Sequence, residues 1–213
     1  MTESRAALIV DIVDSRLLAD RAQAQTAVLD AFATAVRDVP VDVPLWATVG
    51  DEFQAVFVTA GDAVRTTGLM RLLFTAELDC RFGIGEGEMR EVGSGARGPI
   101  YDGAAWWRAR EAIESVEAEQ DRVAPYSRTR VVGDAADEER ISALNAHLLL
   151  RDHLIDTMNE RARRLAAGAL TGATQSELAA RERISQSAVS QNLRRSGAAA
   201  LLVADRSLRR SAA

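Results

Sequence analysis

The chain has 213 residues, 47% of them hydrophobic and 27% charged, with 31 acidic against 26 basic residues. That length buries a full core and leaves room for a small second unit. The composition is ordinary for a globular protein, and no apolar run approaches the roughly 20 residues of a membrane helix, so no membrane partner is expected. The start, MTESRAALIVDIVDSR, lacks a basic region and a small-residue cleavage site, and the one cysteine, Cys80, has no internal partner, so a cytoplasmic address is expected. Charge is uneven: residues 1–130 hold 21 acids and 14 arginines, whereas residues 174–213 hold 7 arginines and 3 acids. An acidic body with a basic tail suggests two partners of different kind.

Taken in order, AALIVDIV (6–13) reads as a buried strand. Apolar residues at helical spacing (Ala24, Val28, Ala31, Phe32, Ala35) predict a helix over 20–37, stopped by VPVDVP. Strands at 45–49 and 53–58 flank Gly50-Asp51-Glu52, a hairpin with glycine at its turn. A helix over 61–76 and a strand over 79–85 follow, then a glycine-rich loop, a helix over about 103–119 and a short strand near 129–132. Gly83, Gly85 and Gly87 lack the spacing of a dinucleotide fingerprint and read as close backbone approach. The fold class is therefore α+β, a ferredoxin-like or palm βαββαβ domain, with its helices expected on one face.

In that topology the first and third strands are antiparallel neighbours. The end of the first strand, with Asp11, then lies beside the hairpin that carries Asp51. Two oxygen ligands so placed suit Mg²⁺ or Mn²⁺, which bind through one or two carboxylates plus substrate phosphates. Ions at that edge can activate a hydroxyl and stabilise a displaced pyrophosphate. The loop Ile12-Val13-Asp14-Ser15-Arg16 leads into a helix whose amides can receive phosphate oxygens. A purely structural strand-end acid is the competing reading.

The segments LIVDIVDSR, VGDEFQAVF, RFGIGEG and GPIYDGAAWWRAREAIE occur in this order. Together they resemble the palm domains of class III nucleotidyl cyclases, and most closely the SatD family, palm-like bacterial proteins that often end in a helix-turn-helix. The resemblance implies that Asp11 and Asp51 bind metal, with Glu52 as a helper; Ile12, Ser15, Arg16, Gly50 and Glu52, in the loop and hairpin beside them, are the expected nucleotide contacts. Two departures matter. Asp14 stands where the cyclase pattern has a small glycine. If Arg110, the candidate catalytic residue, is matched to the cyclases' transition-state Arg, Trp106 falls where they carry Asn. Losing a polar group aimed at developing charge typically costs a few kcal/mol of barrier. Trp106 and Trp107 read as core or dimer-contact residues, and His147 and His153, six apart, as no metal pair.

Residues 137–168 read as one long amphipathic helix, a connector or dimer stalk. In the following segment, Thr174 and Glu177 form a capping box, and Ala179 supplies a small residue at a helix crossing. Ser185 caps a second helix, packed through Ile184, Val189 and Leu193. Thr174 and Gln175 at the first helix, with Gln186, Ser187, Ser190, Gln191, Arg194 and Arg195 on the second, are the expected contacts to double-stranded DNA. Arg183 occupies the turn position where glycine is common. Residues 198–210 fit a helix or an extended flank. The expected division is a palm-like domain (1–133), a connecting helix (134–170) and a helix-turn-helix unit (171–213), arranged as a homodimer. Two functions stay open: a DNA-binding regulator whose palm domain senses a nucleotide or serves as a scaffold, and a metal-dependent cyclase or nucleotidyltransferase with a regulatory tail.

Overall fold

The computed structural model describes residues 3–48, 51–96, 98–120 and 122–211. Strand β1 (Glu3–Ile12) is buried on both faces: Ala6, Leu8, Val10 and Ile12 turn one way, Ala7 and Ile9 the other. Helix α1 (Arg21–Ala35) begins where the Asp20 carboxylate accepts the Gln23 amide at 2.9 Å. Strands β2 (Val41–Ala47) and β3 (Glu52–Phe57) pair antiparallel, so β2 already starts inside the segment expected to end the helix. The Thr59 hydroxyl caps α2 (Ala60–Leu73), which leads into β4 (Cys80–Gly95). The sheet order β2-β3-β1-β4, with β1 antiparallel to both neighbours, is that of a βαββαβ unit. Phe32 of α1 and Met70 of α2 pack with Leu8, Val10, Phe53, Phe57 and Phe82 on one face of this sheet.

Two expectations fail here. The glycine-rich loop is a hairpin: β4 continues to Gly95 and turns into β5 (Gly98–Gly103). Beyond Met89 the β4 residues are exposed, so the ladder rests on backbone pairing and shows no apolar alternation. Helix α3 (Ala104–Gln120) lies on the face opposite α1 and α2, where Ala105, Ala109 and Ile113 pack on Ala7, Ile9 and Val56. A Cβ at Gly83 or Gly85 would overlap the backbone of α3, so these glycines let the helix lie directly on the strand. Strand β6 (Thr129–Val132) then pairs parallel with β4.

The long helix is also two. Helix α4 (Glu138–Asp156) stops, and α5 (Glu160–Leu170) restarts where the Asn159 side chain accepts the Ala162 amide at 2.9 Å. An Asn that caps locally offers the backbone an alternative to continued helix, and Met158 is buried at the corner. Helix α4 is no free stalk, since Ile141 and Leu148 join the core of the sheet. Asp152, fully buried, meets Arg71 Nη1 at 3.1 Å and Arg151 Nη2 at 2.9 Å, and accepts the Arg128 amide at 2.9 Å, tying α4 to α2 and the approach to β6.

Helices α6 (Gln175–Glu182), α7 (Gln186–Arg195) and α8 (Ala198–Ser211) enclose a second core of Leu165, Leu178, Val189, Leu193 and Leu201, joined by Leu72 of α2. The flank after residue 198 is thus helical. Arg65 on α2 meets Asp205 on α8 at 2.9 Å, which fastens the last helix to the sheet body. Among the described residues no helix is long and apolar enough to cross a membrane.

Candidate functional site

Strand register assembles the first site. Asp11 pairs with Glu52 on β3 and with Arg81 on β4, so all three emerge on the α3 face of the sheet. Arg81 Nη1 lies 3.3 Å from the Asp11 carboxylate. Asp51, at the start of β3, accepts the hydroxyl proton of Ser15, and Ser15 is buried. Burial pushes the Asp11 carboxyl above its ordinary range, the nearby charge of Asp51 adds to the shift, and Arg81 opposes it. Asp51 thus lies near enough to Asp11 for their charges to act on each other.

Glu52 is committed elsewhere. Arg110 on α3 reaches it with Nη1 at 2.7 Å, and Gln54 Nε2 donates to its other oxygen at 3.2 Å. From Gln54 a cleft of about 420 Å³ runs past Trp46, Trp106, Tyr101 and Ile100. Trp106 stands edge-on to Trp46 with ring centroids 6.2 Å apart, and its Nε1 donates to the Tyr101 carbonyl at 3.1 Å. Trp107, by contrast, is 77% exposed. The Ile12 side chain is buried in the opposite core, and Arg16 is exposed. Gly50 lies outside the described residues. Asp14, in place of the expected glycine, adopts φ 51°, the left-handed conformation that glycine enters most easily. The loop from Ser15 to Leu17 is a single 3-10 turn.

Sequence reasoning missed Arg81, Gln54 and Trp46. Arg81 stands two residues before Gly83, so alternation alone puts it on the α3 face, but its meeting with Asp11 requires the β1–β4 register. His147 and His153 do not form a pair: His153 packs at a tilt against Tyr126 with ring centroids 4.5 Å apart, while His147 faces α8.

The donor set of the carboxylate edge bears on a divalent ion. Two carboxylates whose like charges act on each other suit a hard dication. Among the described residues no group of three or more His, Cys, Asp and Glu is arranged to hold a metal by itself. The pair fits an ion that takes its other ligands from phosphates and water.

The second site is on α6 and α7. Thr174 and Glu177 make the capping box, with the Thr174 amide donating to Glu177 at 2.7 Å, so the Thr174 side chain is already engaged. Arg183 closes α6 at φ 53°, and the Ser185 hydroxyl accepts the Ala188 amide at 3.1 Å to open α7. Val189 and Leu193 are buried. Gln175, Gln186, Ser187, Gln191, Arg194 and Arg195 are exposed, and Ser190 is half-buried. Arg194 and Arg195 carry no ion pair among the described residues. The arrangement is a capped helix-turn-helix with a polar outer face.

The family model of the SatD family matches residues 5–208. No curated protein matches the chain. Among solved structures, it is similar to a bacterial light-regulated adenylyl cyclase at 16% identity and TM-score 0.47, covering 67% of this chain and 81% of that one. The adenylyl cyclase CyaB from P. aeruginosa is similar at 17% identity and TM-score 0.37, over 57% of this chain and 83% of that one. A guanylyl cyclase domain of the RhoGC fusion protein from Blastocladiella emersonii is similar at 16% identity and TM-score 0.40, over 54% of this chain and 76% of that one.

Proposed function

The chain belongs to the SatD family, and we propose that it is a DNA-binding transcriptional regulator of the cytoplasm whose palm-like domain binds a nucleotide. The observation that carries the reading is the capped helix-turn-helix, in which α7 buries Val189 and Leu193 and turns Gln186, Gln191, Arg194 and Arg195 outward. Such a face offers amides to base edges and guanidinium groups to phosphates. We take residues 1–133 as the palm-like unit, 171–213 as the DNA-binding unit and 134–170 as the connection, with the protein acting as a homodimer on an inverted repeat.

In the palm-like unit, Asp11 and Asp51 hold Mg²⁺ or Mn²⁺ together with a nucleotide's phosphates. Ser15, Arg16, Gly50 and the backbone of Ile12 contact the nucleotide, Glu52 reaches it only on leaving Arg110, and the cleft beside Gln54 receives its base. The ion supplies neutralisation of phosphate charge. Binding without turnover is favoured because Arg110 is bound to Glu52 and Trp106 stands where the cyclases carry Asn. The alternative, a metal-dependent cyclase or nucleotidyltransferase, draws on the same two carboxylates. Selection of bound fragments from genomic DNA, then footprinting, with and without nucleoside triphosphate and Mn²⁺, tests the reading. An enriched inverted repeat is expected, and no enrichment under either condition overturns it. Release of pyrophosphate from the triphosphate would favour the enzyme.

A further inference from the structure

A cleft of about 780 Å³ opens between the end of α2, the loop after it, and the helices α5 and α6. It is separate from the carboxylate edge, and its volume lies in the range of small-molecule sites. One wall is apolar, formed by Leu72, Leu73, Phe74 and Met158. Half-buried Arg163 also lines it, and among the described residues its side chain makes no hydrogen bond or ion pair, although the Nε is buried. The other shielded guanidinium groups nearby all have a carboxylate: Arg71 and Arg151 meet Asp152, and Arg128 Nε meets Asp79 at 2.6 Å, although Arg71 Nε, like Arg163 Nε, makes no hydrogen bond. A buried donor atom without a partner is costly, so it marks a place where a partner belongs.

The acids on the wall define that partner. Asp79 is taken by Arg128, and Glu160 lies 3.8 Å from Arg164. Asp156 makes no ion pair among the described residues. Asp79, Asp156 and Glu160 stand against Arg163, Arg164 and Arg181 around the cleft, so the lining has no surplus of positive charge to hold a polyanion such as a triphosphate, whereas a single carboxylate matches the unpartnered Arg163 side chain. We propose that this cleft binds a small monocarboxylate with an apolar body. The carboxylate meets the Arg163 guanidinium, and the body lies on Leu73, Phe74 and Met158. If the compound is an α-amino acid, its ammonium group meets Asp156; if it is a simple carboxylic acid, Asp156 takes no part. Arg181 of α6 stands on the same cleft, so an occupant touches the first helix of the helix-turn-helix.

Calorimetry and thermal melting of the full-length protein with phenylpropanoate, L-phenylalanine and phenethylamine test this, independently of DNA binding. Both carboxylates are expected to bind in the millimolar range or tighter and to raise the melting temperature, and the amine is not. Arg163→Gln should weaken carboxylate binding by roughly tenfold or more, with the unliganded far-ultraviolet spectrum unchanged, and Arg163→Lys should retain part of it. Asp156→Asn separates the sources, weakening phenylalanine alone when an ammonium is read. The proposal is overturned if neither carboxylate binds, or if Arg163→Gln binds them as well as the parent protein does.

Discussion

Asp11 and Arg81 face each other across β1 and β4, with the Arg81 Nη1 3.3 Å from an Asp11 carboxylate that is 32% exposed. The guanidinium does not win: burial first, and the charge of Asp51 second, hold the Asp11 carboxyl above its ordinary range. A raised carboxyl favours the fold below the unfolded pKa, and that contribution is lost as pH rises through the folded value. At neutral pH the ionised Asp11 therefore weighs against folding. Asp11→Asn should raise the melting temperature at neutral pH, and the gain should vanish under acid conditions where Asp11 is protonated. Urea unfolding at both pH values checks it, and an Asn variant less stable at neutral pH would count against the assigned balance.

The same pair sets an expectation for divalent ions. If Asp11 and Asp51 hold Mn²⁺ with nucleotide phosphates, the ion and a nucleoside triphosphate together should raise the melting temperature. Asp51→Ala should abolish the rise. Calorimetry with the triphosphate alone provides the comparison; equal affinity with and without the ion would assign the two acids a structural role.

Asp152 fastens α4 to the sheet body through charge. Burial pushes its carboxyl up, but Arg151 and Arg71 outweigh this and hold it below the usual carboxylate range. Its contribution to stability is present above the unfolded pKa and is lost as pH falls through the folded one. Asp152→Ala leaves two guanidinium groups buried without their carboxylate and should destabilise the protein by about 3–5 kcal/mol in denaturant titration.

Arg183 ends α6 at φ 53° without the freedom of glycine. Left-handed backbone costs an ordinary residue about 1–2 kcal/mol. Arg183→Gly should therefore stabilise the helix-turn-helix, by about 1 kcal/mol after glycine's own entropy cost. Thr174→Ala, which removes the capping box, should destabilise it by about 1 kcal/mol. Thermal melts of the two variants should move in opposite directions.

Arg194 and Arg195 close α7, and their side chains have no internal partner among the described residues. Replacing both with Ala should weaken binding to every DNA sequence and lower the salt slope of log affinity by about two. Replacing Gln186 or Gln191 should change sequence preference, by about 1–3 kcal/mol at a contacted base. Titrations over a salt series separate the two effects.

What the sequence determined by itself is local. Alternate burial along β1, the Asp20, Thr174 and Ser185 caps and the βαββ order all depend on neighbours within a few residues. The close approach at Gly83 and Gly85 was legible for the same reason, because a missing side chain is visible in the letters alone. The break at Asn159 was readable in principle as an N-cap, yet the apolar spacing on both sides continued through it, and only the burial of Met158 at the corner decided it. The β4–β5 hairpin escaped because its side chains face solvent and its pairing lies in the backbone, which every residue shares. The side of the sheet taken by α3, the meeting of Asp11 with Arg81, the capture of Glu52 by Arg110 and the joining of Trp46 to Trp106 were decided by tertiary structure. Each depends on strand register or helix placement, where a one-residue slip would send the side chain to the other face.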